Sequence, residues 1–183
     1  IKLLELPRES LIEDLKKVVI DSIVRYKYFK MLEWQDYTHS FALHAMFMLR
    51  ELKAEETLET VLDLLRQKEK FLNYWVGDLM TEYMWMIIYE IGKNQLDALR
   101  DFILEEGNFT YARVPISEAV CSIGQNFPER RNEVIDWYYI VFNLFIEQKD
   151  NDKLLDTTLI GLMVGDVLDL KATELEETIV KLY

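Results

Sequence analysis

Gly77–Gly92, GDLMTEYMWMIIYEIG, is the stretch on which the reading of the fold turns. From Tyr83 to Ile91 it is apolar at nearly every position, so no polar face is left for water. A helix hydrophobic all round sits between two others rather than on a surface. Its start differs: Asp78, Thr81 and Glu82 are polar, which confines any function of this helix to its first turn and a half. The expectation is a central helix with others stacked before and behind it.

Composition agrees. The chain has 183 residues, half of them apolar, and only nine are Gly or Pro, which argues against disorder and against a turn-rich β fold. Leu, Glu, Lys, Ile and Met abound, while short alternating runs between Gly/Asn turns are missing, so the fold class is all-α. The length suits one domain over 1–183 with a sizeable core. A formal charge of −12 opposes nucleic acid, whose phosphates are bound by Lys and Arg, and it opposes anionic membranes too. It suits basic or neutral protein partners and solubility. The single Cys121 cannot form an internal disulfide, so a reducing, cytoplasmic setting is expected. No stretch approaches the roughly 18 to 20 uncharged apolar residues of a membrane-spanning helix. A first residue Ile1 rather than Met is what a trimmed chain would show, so segments beyond either terminus stay open.

Outward from the central stretch, a helix-pair pattern recurs. After an opening helix from Pro7 to about Lys30 and a connection over Glu33–Thr38, four pairs follow. They are Ser40–Lys53 with Glu55–Gln67, Asp78–Lys93 with Gln95–Glu106, Thr110–Asn126 with Arg130–Gln148, and Asp156–Leu170 with Thr173–Leu182. Each first helix ends in an aliphatic residue and a short polar link, for example Leu52-Lys53-Ala54 and Leu170-Lys171-Ala172. The anchors lie about 39, 32 and 47 residues apart, an irregular period that fits degenerate HEAT-like repeats. Units of this kind stack into an α-solenoid, here of about four to five helix pairs. Pro115 should bend the helix that contains it. Lys68–Val76 and Lys149–Lys153 read as loops.

Gly77-Asp78-Leu79-Met80-Thr81-Glu82, His44-Ala45-Met46-Phe47-Met48-Leu49 and Tyr111-Ala112-Arg113 together resemble a bacterial family of domains of unknown function, DUF1186. The resemblance runs from about Leu6 to the end. It implies an all-helical HEAT-like fold and supplies no activity. Some relatives carry a Cys-rich, zinc-binding tail; this sequence has no such cluster, so that role does not carry over.

The candidate site residues follow from position along the repeats. Aligning the first helices puts His39, Asp78, Thr110 and Thr157 in one column, where Asp and Thr would cap helix starts. Glu82 and Arg113 fall one turn inside successive helices and could pair as a register-fixing ion pair or line a polar pocket. His39 and His44 are the only histidines; five residues apart, they diverge by about 140° and cannot chelate one metal together. A metal or general-base site would need one of them with Asp78 or Glu82; otherwise His44, in an apolar run, is a hydrogen-bonded core residue. Cys121 has no activating neighbour and reads as a buried inert thiol. Trp85 reads as core, while Trp34, Tyr37, Tyr74-Trp75 and Trp137-Tyr138-Tyr139 offer aromatic bodies that suit loop packing or interfaces. No Gly-rich phosphate loop, GxSxG, HExxH or CxxC is present. The leading expectation is a protein- or peptide-binding module whose face includes Tyr74, Trp75, Asp78, Glu82, Tyr111, Arg113 and Asp156, with no cofactor. The alternative is a metal-binding protein or enzyme at His39 or His44, and the apolar outer helices would also allow two copies to pair.

Overall fold

A computed structural model describes residues 6–33, 35, 39–151 and 153–182. Those residues form helices and turns and no strand, as the composition requires. The expected aromatic candidates Trp34 and Tyr37 lie outside them, as do Asp36, Thr38 and Asp152. The chain divides into two compact units, 1–91 and 92–183.

In the first unit, Pro7 precedes α1 (Arg8–Val24) with an extended backbone, and its carbonyl accepts from Leu11 N at 3.1 Å. Leu11, Ile12, Leu15 and Val19 recur at helical spacing and bury one face of α1 against α3 (Phe41–Glu51) and α4 (Leu58–Leu65). The helix expected to reach Lys30 breaks at Arg25 into a four-residue α2 (Tyr26–Phe29). Lys68–Val76, read as a loop, is helical over α5 (Glu69–Trp75), burying Phe71, Leu72 and Trp75.

The central stretch is also corrected. It is two helices, α6 (Leu79–Glu82) and α7 (Met84–Gly92), separated at Tyr83, where φ is −131°. Met84, Ile87, Ile88 and Ile91 are buried, whereas Trp85, Met86, Tyr89 and Glu90 are only half-buried and Tyr83 is exposed. A run of apolar residues at every position is compatible with one buried face as well as with several. Sequence periodicity alone does not separate the two.

In the second unit the all-round buried helix is α9 (Thr110–Asn126), with eleven of its seventeen residues buried. It packs against α8 (Leu96–Ile103), α10 (Arg131–Glu147) and α11 (Thr157–Asp169), and α10 in turn packs on α12 (Glu176–Leu182). Pro115 is buried and leaves the helix continuous through Asn126. Gly124 marks the closest approach: a Cβ there would lie 2.9 Å from Leu170 Cδ1 and 3.2 Å from Val134 Cγ1.

Two of the four polar links anticipated from sequence share one device. Lys53 (φ 48°) and Lys171 (φ 53°) hold left-handed backbones one residue past the helix caps. Lys53 N donates to Arg50 O and Ala54 N to Leu49 O; Lys171 N donates to Leu168 O and Ala172 N to Val167 O. This is the Schellman closure, which satisfies the last carbonyls of a helix. A short 3-10 turn follows each, Glu55–Thr57 and Thr173–Leu175. An arginine at the start of another helix of the same unit then grips each link. Arg8 donates to Glu56 at 2.9 Å and reaches Leu52 O at 3.3 Å; Arg131 donates to Glu174 at 2.6 Å and to Lys171 O at 3.1 Å.

Candidate functional site

Tyr74, Trp75, Asp78 and Glu82 belong to the first unit, and Tyr111, Arg113 and Asp156 to the second, so each group is described in its own setting.

In the first unit, α5 carries Phe71, Tyr74 and Trp75 toward rings from α2 and α3. Trp75 is buried with its centroid 5.0 Å from Phe41, 5.3 Å from Phe29 and 4.9 Å from Tyr74, each pair edge to face. Such pairs add about 0.5–1.5 kcal/mol each beyond burial. The Tyr74 hydroxyl donates to Phe29 O at 2.9 Å, and the partial burial of the ring holds its pKa above the ordinary phenol value. Beside these rings, Gly77 turns the chain with φ 54°, a backbone that favours glycine. Ser40, Leu43, Asn73, Tyr74, Val76 and Leu79 help to wall an open cleft of about 510 Å³ there. Asp78 and Glu82 are exposed and do not line the cleft, and Asp78 makes no side-chain capping bond.

The histidines exchange their expected places. His39 is buried, with Gln35 N donating to its Nδ1 at 3.1 Å and its ring edge-on to Phe29 and Tyr74. His44, expected in the core, is exposed, because Ala42, Leu43, Ala45, Met46 and Leu49 are the face that α3 buries. Among the described residues no three His, Cys, Asp or Glu side chains converge in a metal-ligand arrangement.

In the second unit Arg113 is 2 % exposed, and Glu82, in the first unit, is exposed. The Arg113 guanidinium donates to Ile103 O from Nε at 2.8 Å and from Nη2 at 2.5 Å, and to Leu154 O from Nη1 at 2.7 Å. Burial pulls its pKa down to about 10, against the opposing pull of the Asp156 charge. Three charge-assisted bonds to backbone make it a pin between the end of α8 and the approach to α11. Asp156 supplies the capping bonds expected at helix starts, accepting from Thr158 N at 2.8 Å and Leu159 N at 3.3 Å. Thr110, expected to cap α9, instead donates its hydroxyl to Asp156. Burial would raise the Asp156 pKa, but the bonds from Thr110 and the two amides outweigh it and keep the carboxyl below its ordinary range. Tyr111 is 42 % exposed and meets Phe109 edge to face.

A second polar group in this unit escaped the sequence reading. Ser117 Oγ donates to Asp166 at 2.5 Å, the Tyr138 hydroxyl donates to Ser117 O at 2.8 Å, and Cys121 Sγ donates to Asp166 O at 3.2 Å. Burial pushes Asp166 up to about 6, and burial with the Asp166 charge pushes Glu118 up to about 7. Burial likewise pushes the Cys121 thiol up to about 12, so it is no thiolate nucleophile at neutral pH, as its apolar setting suggests. Ser117 touches a carboxylate but is fully buried with no imidazole beside it, so the group cements α9 to α11 and α10. Ser117 and Asp166 are 49 residues apart, which is why no local motif announced them.

A profile of a family described as protein of unknown function (DUF1186) matches residues 7–183, nearly the whole chain. No curated protein and no solved structure matches it.

Proposed function

We propose, for a chain that belongs to the DUF1186 family, that it is a helical-repeat binding module whose first unit takes an apolar segment of a protein or peptide. The observation that carries the reading is the open cleft of about 510 Å³ beside Tyr74, Trp75 and Gly77. It is large enough for one or two side chains, apolar on its floor and edged by Ser40 and Asn73, which is how peptide pockets combine anchoring with orientation. The rigid ring cluster beneath it limits the ordering entropy of binding. The paired helices of each unit, with their twice-used closure, are read as repeats of the HEAT type. Asp78 and Glu82 would then favour basic residues flanking the bound segment. Tyr111, Arg113 and Asp156 are assigned to holding the second unit together rather than to contact with a ligand. A metal or catalytic role at His39 or His44 finds no converging ligand set among the described residues.

The test is selection from a displayed peptide library followed by calorimetry with Asn73→Arg and Leu79→Arg variants. Binding of an apolar-anchored peptide that either arginine abolishes, with helix content unchanged, supports the cleft. Selection of no peptide, or binding that ignores both variants, ends the reading.

A further inference from the structure

The chain carries two exposed apolar surfaces of opposite charge, and each lies within one unit. Residues 16–32, KKVVIDSIVRYKYFKML, hold five cations against one carboxylate in a protein of net charge −12. Along the end of α1 and through α2, Ile20 is 46 %, Val24 75 %, Tyr28 56 % and Met31 87 % exposed. Lys27 and Lys30 stand beside them without an acidic partner among the described residues, while Arg25 pairs with Asp21 and lies over Phe29. Next to this ridge a groove of about 510 Å³ is walled by Lys17, Val18, Asp21 and Arg25.

Residues 164–180 of the second unit, VGDVLDLKATELEETIV, invert the pattern with five carboxylates against one cation. Here α11 and α12 enclose a groove of about 320 Å³ walled by Val164, Val167, Ala172 and Ile179, with Lys171 and Glu176 also on its wall. Leu168, 69 % exposed, and Val180, 71 % exposed, stand on its flanks, with Asp169, Glu176 and Glu177 exposed around it. Single exposed apolar residues need no explanation, but contiguous ones rimmed by charge mark interaction sites.

We propose that copies of this chain associate heterologously, the basic apolar ridge of residues 16–32 on one copy docking into the acidic apolar groove between α11 and α12 of the next. Charge selects this pairing. Either surface against its own counterpart would set like charges together, whereas the two surfaces against each other place the exposed Lys27 and Lys30 opposite the exposed Asp169, Glu176 and Glu177. The ridge presents projecting Val24 and Met31 side chains, and the groove offers an apolar recess to receive them. An anionic bilayer would also attract the ridge, but the remaining acidic surface repels it, while the complementary groove is present on every copy. A heterologous contact uses a different surface on each partner, so it propagates into rings or open chains rather than stopping at a dimer.

Sedimentation velocity on the wild type, Val24→Glu/Met31→Glu and Leu168→Lys/Val180→Lys tests this. All four positions are exposed, so the variants keep their fold, which circular dichroism verifies. The wild type should rise from one chain mass to two or more between micromolar and near-millimolar protein at low salt, and fall back at high salt as the charges are screened. Each variant alone should stay at one chain mass. The two variants mixed should form a one-to-one pair and nothing larger, because one intact ridge and one intact groove remain. A wild type that stays at one chain mass at every concentration overturns the proposal. So does association lost in one variant only, or a variant mixture that stays at one chain mass. Binding of the ridge to phosphatidylserine vesicles by a wild type that never self-associates would assign it to a membrane instead.

Discussion

The interiors of the two units solve the same packing problem with different materials. The first gathers rings around one tryptophan: buried Phe71 and partly buried Phe29 and Phe41 each meet Trp75 edge to face. The second buries rings as well, Phe102, Tyr138, Phe142 and Phe145 among them, and adds polarity to them: a guanidinium on two carbonyls, and a serine between a tyrosine and a carboxylate. Edge-to-face rings hold through shape and burial, whereas Arg113 and Ser117 hold through directed hydrogen bonds. The difference gives the first unit a preorganised apolar platform and the second a hydrogen-bonded register.

Trp75→Ala would break the comparison on the aromatic side. It should destabilise the protein by about 3–5 kcal/mol, since a large buried side chain leaves a void that its neighbours fill only in part. Urea unfolding measures it. On the polar side, Arg113→Met should remove about 2–4 kcal/mol by leaving Ile103 O and Leu154 O buried and unpaired. Arg113→Lys should recover only part of this loss, because one ammonium cannot reproduce the planar fork. If Lys restores full stability, the charge matters and the geometry does not.

A smaller effect comes from proton linkage. Asp166 rises from 3.8 to about 6 and Glu118 from 4.5 to about 7, so the folded state holds protons that the unfolded chain releases. Their contribution to stability is complete below about pH 4 and is lost as pH climbs through 6 to 7. Asp156, Glu56 and Glu133, whose pKa values are lowered, act in the opposite sense on the acid side. Asp166→Asn keeps an acceptor for Ser117 and should therefore flatten the decline toward neutral pH relative to the wild type. Urea midpoints across pH 4 to 8 would show two parallel profiles if the carboxyl titrates normally. The smallest effect concerns what the units share. Lys53→Gly and Lys171→Gly should each stabilise by up to about 1 kcal/mol, since a side chain is penalised in the left-handed region. A gain at one link and not the other would show that the two closures are not equivalent.

Two of the helix boundaries were legible because their links share a chemistry: an aliphatic anchor, a residue that leaves the helix, then an acidic turn. That is why Leu52-Lys53-Ala54 and Leu170-Lys171-Ala172 marked real boundaries. Continuity was less legible. Glu69–Trp75 mixes charge and aromatic rings without a helical stripe, yet it folds as α5 because Phe71, Leu72 and Trp75 all find burial. The stretch 77–92 misled because uniform apolarity carries no phase. His44 is exposed because which face of α3 is covered depends on α1, not on local neighbours. Arg113 was singled out, but the carbonyls of Ile103 and Leu154 that it holds were not, since backbone carbonyls have no signature in sequence.

The two partners of Arg113 lie ten residues behind it and 41 ahead. That asymmetry sets an order of events on a growing chain. The Ile103 bonds close a short loop and can form as soon as α8 and the start of α9 have left the ribosome. The Leu154 bond must wait for the whole of α10 to follow. Until then the guanidinium is held at one end and solvated at the other, and arrival of the Leu154 segment is the step that seals it from water. One side chain thus serves first as a local nucleus and later as the latch that completes the second unit.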